Sequence, residues 1–181
     1  MMRRFNVLLC GVLFVYASAS QAGNFQAGVG LFAFAKNGTD LEVNYRKPGS
    51  HYQFGMKYTH WTDESHDPYT GRVLDETHQT LAGPILNYLF HPEASSSGYV
   101  GVSILQWTHT ISPRQIVTQD HTVRSVDPYF GGGYTGRWGS AFYYNAGFYL
   151  SPTAKIDNQT PVSSETQGGN FDTQLQIGLV F

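Results

Sequence analysis

Apolar and polar side chains alternate along this chain with a period of two. At its end Phe171, Thr173, Leu175, Ile177, Leu179 and Phe181 share one parity. Asn170, Asp172, Gln174, Gln176, Gly178 and Val180 occupy the other, and nothing from Thr173 onward is charged. Side chains of a strand point to opposite faces in turn, so this pattern predicts a strand with one greasy side. Leu41, Val43 and Tyr45 alternate with Glu42, Asn44 and Arg46. Tyr52, Phe54, Met56 and Tyr58 alternate with Gln53, Gly55 and Lys57. The same rhythm runs through 127–138 and 141–150. It is less clear over 24–35, 79–91 and 97–111, where both parities hold apolar residues. Pro84 predicts a bulge or a strand end inside its segment.

Eight strands are predicted, at about 24–36, 40–47, 51–61, 79–91, 97–111, 122–138, 140–151 and 170–181. Pro48-Gly49-Ser50, Pro92 to Ser96 and a tight turn at Gly139 make the even-numbered connections short. The third, fifth and seventh connections, 62–78, 112–121 and 152–169, are longer. Asn37-Gly38-Thr39 marks a tight first turn. Short turns at one end and long loops at the other fit an outer-membrane barrel, with both termini at the short-turn, periplasmic end. A soluble sandwich or lipocalin-like barrel shares the periodicity but turns its apolar parity inward. Its outer face then needs many Lys and Glu. Here the second parity carries Gly, Gln, Asn, Thr and Tyr with few charges, which suits a cramped lumen. The fold expected is an all-β, eight-stranded antiparallel transmembrane up-and-down barrel. Tyr58, Trp61, Phe90, Trp138, Phe142 and Phe181 are its expected interfacial aromatics.

Composition supports that choice. Aromatic residues reach 15% and glycines number 20, while only 13% of residues are charged, about half the usual share. Mean hydropathy is −0.27, so the chain is no bundle of greasy helices. Arg3 and Arg4, the apolar run Val7 to Tyr16 and Ser20-Gln21-Ala22 predict a signal peptide over 1–22, cut before Gly23. The barrel domain is then 23–181. Removing Arg3 and Arg4 from the 11 basic residues leaves nine against 13 acidic ones. Cys10 leaves with the signal, which excludes zinc–thiolate sites and cysteine nucleophiles. No basic tract points to a nucleic-acid partner.

On these residues the chain resembles the small eight-stranded outer-membrane barrels of Gram-negative bacteria, the class of OmpA-, OmpX- and OmpW-type barrels and lipid A deacylases. In that class the last strand ends in Phe or Trp after alternate apolar positions, which the barrel assembly machinery reads. The resemblance implies that Leu175, Ile177, Leu179 and Phe181 form such an assembly signal. It also implies residence in the outer membrane among lipid and lipopolysaccharide, export by the secretion machinery, and a monomer.

Six charges fall on the inward parity: Glu42, Arg46, Lys57, Asp127, Arg137 and Asp172. Charges in a narrow lumen must be paired, so a polar network is expected, with Asp172 meeting Glu42 or Arg46 if the first strand closes the ring. A conducting path through these residues is the alternative. The echo of Thr59-His60-Trp61 in Thr108-His109 places two histidines near one rim, yet no metal-ligand spacing appears and no cofactor is expected. Lipid A deacylases use a late-strand His-x-Ser-Asn motif, which this chain lacks. His60 or His109 with Ser65, Ser103 or Ser112 is the best substitute for an enzyme. Loop 62–78 is acidic, and such loops are where an extracellular ligand would bind. The readings carried forward are a structural, loop-presenting or porin-like barrel, a lipid-modifying enzyme, and a narrow channel.

Overall fold

The computed structural model describes residues 25–31, 38–113, 120–152 and 171–181. The signal-peptide boundary, Asn37 of the first turn, most of loop 112–121 and loop 153–170 lie outside the described residues. Eight strands follow in chain order: β1 (Phe25–Gly30), β2 (Thr39–Tyr45), β3 (Tyr52–His66), β4 (Val73–Leu89), β5 (Ser96–Pro113), β6 (His121–Trp138), β7 (Phe142–Leu150) and β8 (Phe171–Val180). Each pairs antiparallel with its sequence neighbour, and β1 pairs with β8 to close the ring. The expected fold is the observed one.

Burial is inverted relative to a soluble protein. On β3, Met56 is 59% exposed while its neighbour Lys57 is 2% exposed. Val43, Phe54, Phe130, Phe148, Leu175 and Ile177 also face outward. Gln26, Glu42, Asn44, Gln53, Asn145, Gln174 and Gln176 are buried inside. This overturns the soluble reading, in which the apolar parity would turn in. Two aromatics depart from expectation. Trp61 shares the inward parity of Lys57 and packs against the lumen core, so it is no girdle residue. Phe181 is 9% exposed, unlike the rest of its parity on β8. Its backbone bonds in both directions to Phe25.

The ambiguous stretches have a physical cause. β4 and β5 put apolar side chains on both faces because the lumen beside them is itself apolar. Leu81, Ile85, Leu89, Tyr99, Leu105, Trp107, Tyr129 and Tyr149 form one buried cluster there. Pro84 makes neither a bulge nor an end. The β4–β5 ladder omits Gly83 and Pro84 and resumes in the same register, Ala82 with Gln106 and Ile85 with Ser103. Pro84 itself is exposed on the outer face, where its missing N–H is tolerated.

Loop 62–78 is mostly strand. β3 and β4 stay paired past Asp63 and Glu76, with a register shift at Ser65/His66, and only 67–72 turns. The Asp67 carboxylate accepts from the backbone N–H of Tyr69 (2.7 Å) and Thr70 (2.9 Å), which holds its pKa below the usual carboxylate range. At the other end Gly49 (φ 70°) and Gly139 (φ 68°) make the tight turns in a left-handed conformation.

The lumen also accounts for the pairing of glycine with tyrosine in the composition. A Cβ on Gly133 would lie 2.7 Å from the Tyr99 hydroxyl, and one on Gly101 2.6 Å from that of Tyr149. On Gly131 it would meet the Phe148 carbonyl oxygen and sit 2.6 Å from the Tyr149 Cα. Glycines leave the floor on which the lumen tyrosines lie. Gly131→Ala is expected to cost about 1–3 kcal/mol by overpacking, read as a lowered urea midpoint of the refolded barrel.

Candidate functional site

The candidate site is the lumen network, and its members come from opposite walls. Lys57 on β3 reaches Asp172 on β8, and its Nζ donates to both carboxylate oxygens at 2.6 and 2.7 Å. Gln174 donates to Asp172 at 3.4 Å, and Asn145 donates to Gln174 and Gln176 at 3.0 and 3.4 Å. Gln176 donates to Glu42 at 2.8 Å, while Asn44 donates to the other Glu42 oxygen at 2.7 Å. Thr59 donates to Asp40 at 3.1 Å. A second chain runs from Tyr149 through Asn87 and Gln53 to Gln26. In a medium poor in water these bonds satisfy groups that would otherwise be costly to bury.

Lys57 carries the centre of this network. Asp172 is its nearest partner, and Asp40 and Glu42 act on the same charge. Asp172 therefore meets Lys57, not Glu42 or Arg46, although closure through β1 is what brings the strands round. Asp127 is buried on the lumen side of β6, in register with Leu105. Arg46 and Arg137 stand elsewhere. They line a cleft at the short-turn end, away from Glu42 and Asp172. Asp40, absent from the sequence-based set, belongs to it. Its inward parity beside Glu42 is the signal that could have found it.

Among the described lumen residues, Leu105, Tyr129, Tyr149 and Gln176 are 0% exposed. Hydrogen bonds dominate beside β1–β3, β7 and β8 and reach Asn87 on β4, and apolar contact dominates beside β4–β6 and takes in Tyr149 of β7.

The histidine echo does not bring its members together. His109 points into the lumen, buried, with its ring edge-on to Trp107 at 5.1 Å. His60 pairs with Thr80 on the opposite face and accepts or donates at 3.1 Å to its hydroxyl. His60 and His78 stack at 6.1 Å on the outer wall above the apolar belt. His66 and His78 lie 3.5 and 3.6 Å from Glu64 and Glu76. No group of three or more His, Cys, Asp or Glu among the described residues is arranged to hold a metal. Serine and histidine are likewise kept apart. Ser103 and His109 share a face but are six residues apart on one strand, about 20 Å. Ser65 lies on the face opposite His60 and Ser112 on the face opposite His109, while Ser112 from His60 and Ser65 from His109 share a face but stand two strands over and four residues, about 13 Å, along the strand.

The N-terminal barrel domain of Pseudomonas aeruginosa OprF superposes with a TM-score of 0.58 at 14% identity, over 88% of this chain and 98% of that one. Ail, the attachment invasion locus protein of Yersinia pestis, gives 0.53 at 10% identity, over 89% and 100%. Neisserial surface protein A gives 0.52 at 12% identity, over 88% and 93%. The chain has the fold of the small outer-membrane barrels. No protein-family model and no curated protein matches it. Within this barrel fold, the shared feature is the closed ring of eight strands; the lumen contacts above are read from this chain alone.

Lys57→Met leaves Asp172, Asp40 and Glu42 facing one another without a cation. Removing one partner of a buried pair costs about 3–5 kcal/mol, so the urea midpoint should fall well below that of the parent barrel. Adding Asp172→Leu should recover only part of the loss, because Asp40 and Glu42 remain.

Proposed function

We propose that the chain is an integral outer-membrane protein with a closed lumen, a structural barrel that presents its long strands and loops at the cell surface. The inverted burial carries this reading: a continuous apolar outer face needs lipid, and a hydrogen-bonded interior does not. Strand length supports it further. Crossing takes about 9–11 residues in a tilted strand, while β3 to β6 have 15, 17, 18 and 18. Their far halves therefore stand clear of the bilayer. Above Tyr58 the outer face changes to His60, Thr62, Glu64 and His66, which suits the sugar layer of lipopolysaccharide.

In this reading both termini are periplasmic, at the end that holds the turns 46–51 and 139–141. Outer-membrane lipid and lipopolysaccharide surround the wall. A closed ladder leaves no strand edge to pair with a second copy, which favours a monomer. The secretion and barrel assembly machineries are its partners in biogenesis, with Leu175, Ile177, Leu179 and Phe181 as the assembly signal. The projecting β3–β6 strands are the surface for an extracellular ligand. The fully buried lumen side chains disfavour the porin-like and channel variants, and the separation of serine from histidine disfavours the lipid-modifying enzyme.

Expressed in a Gram-negative host, the protein should fractionate with the outer membrane and migrate differently on gels before and after boiling. In planar bilayers it should give no steady conductance steps. A periplasmic, heat-insensitive protein would overturn the location, and reproducible unitary steps would overturn the closed lumen.

A further inference from the structure

The loop-end half of the lumen holds buried polar atoms that no described residue satisfies. His109 on β5 is 6% exposed and Trp107 is 7% exposed. Both ring nitrogens of His109, Nε1 of Trp107 and Oε1 of Gln79 are buried without a hydrogen-bond partner. In register, Gln79 of β4 and Val123 of β6 flank His109. Its ring meets Trp107 edge-on. This layer stands above the row of Tyr58, Ala82 and Gln106, where the outer face turns polar. Native interiors leave few such groups unpaired, so their concentration here calls for a reason.

Packing holds a neutral imidazole in that place, but an imidazolium has two N–H donors and a charge to satisfy. Apart from the ring itself, Gln79 Oε1 is the one acceptor among those unpartnered atoms. The other titratable groups on the inner face are His121 and Asp127 on β6, Asp75 on β4, Asp63 and Lys57 on β3, and Asp40 on β2. Among them His121 is the one whose charge acts on His109, and it is a like charge. Burial first, and then His121, hold the His109 pKa below the ordinary histidine value.

We propose that His109 is an acid-sensitive latch. Seated, it closes the loop-end half of β4–β6. Protonated, it leaves for water and that half loosens, while the ring within the bilayer stays shut. The latch rests on the reading that the far halves of β3–β6 stand clear of the bilayer. The loosened form takes up its proton near the ordinary value of about 6.5, and the seated form only at lower pH. The seated form is therefore fully favoured above about pH 6.5 and loses ground as pH falls below it.

Hydrogen–deuterium exchange of the full chain in lipid vesicles, corrected for the intrinsic rate, tests this at about pH 8 and about pH 5, either side of the ordinary histidine value. Peptides from 106–113 and 121–126 should exchange about tenfold faster in acid, where one ordinary histidine allows about thirtyfold. Peptides from 99–105 and 130–138 should not change. His109→Phe keeps a ring against Trp107 and takes no proton, so its exchange should be equal at both pH values. If it fails the gel-shift test of folding, His109→Gln takes its place with the same outcomes. His121→Gln should keep most of the acid response. Prompt exchange of the turn 67–72 at both pH values reports that the far end stands in water. A protected turn overturns that reading and the latch with it. With the turn exchanging, the latch alone is overturned by no acid response at 106–113, by an equal response in the His109 variant, by a response that His121→Gln abolishes, or by loosening of 99–105 and 130–138 in step.

Discussion

The pairing of β1 with β8 is the constraint from which the rest follows. In lipid no water is at hand for backbone N–H and C=O groups, so a sheet can cross only if its two edges meet. Register from Gln26–Val180 to Gly30–Gln176 closes that seam. Once the ring is closed, inside and outside are fixed for every strand by parity alone. The same closure carries Asp172 round to face Lys57 across the lumen. It also sets Gln176 against Glu42, so the seam and the charge network stabilise one another.

A ring of eight strands is narrow, and its interior must be filled by side chains. This chain fills it in two ways. Leucine, tyrosine and tryptophan pack beside β4–β6, and amides bridge carboxylates beside β1–β3, β7 and β8. Glycine on one wall accepts tyrosine from another, so the two residue types are abundant for one reason. Between the two halves the buried Lys57 is held by the carboxylates around it.

Much of this was legible from alternation. The strands 40–47, 140–151 and 170–181 and the start of 51–61 are bounded within a few residues, because one face is apolar and the other polar. The stretches 79–91 and 97–111 resisted the same reading because their inner face is as greasy as their outer one. The polar run 62–78 read as a loop since Asp, Glu, His and Thr dominate it. In the proposed orientation this hairpin stands above the bilayer, where both faces are wet and backbone pairing needs no apolar side. Pro84 misled because an outward proline between paired neighbours costs the ladder little. The lumen charges were legible as a set of inward positions. Their partners were not, because Lys57 and Asp172 stand on strands three apart in the ring. Only closure, with its register, says which of them meet.

The account rests on β8 having one face in lipid and one in a dry lumen. Single cysteines carrying a nitroxide, placed one at a time from Thr173 to Leu179 in the folded barrel in vesicles, test this by collision with oxygen and with a water-soluble nickel chelate. Oxygen collision should rise and fall with a period of two, high at Leu175, Ile177 and Leu179. Gln174 and Gln176 should be shielded from both reagents. A nickel collision rate that is high at Ile177, or flat along the strand, would contradict it.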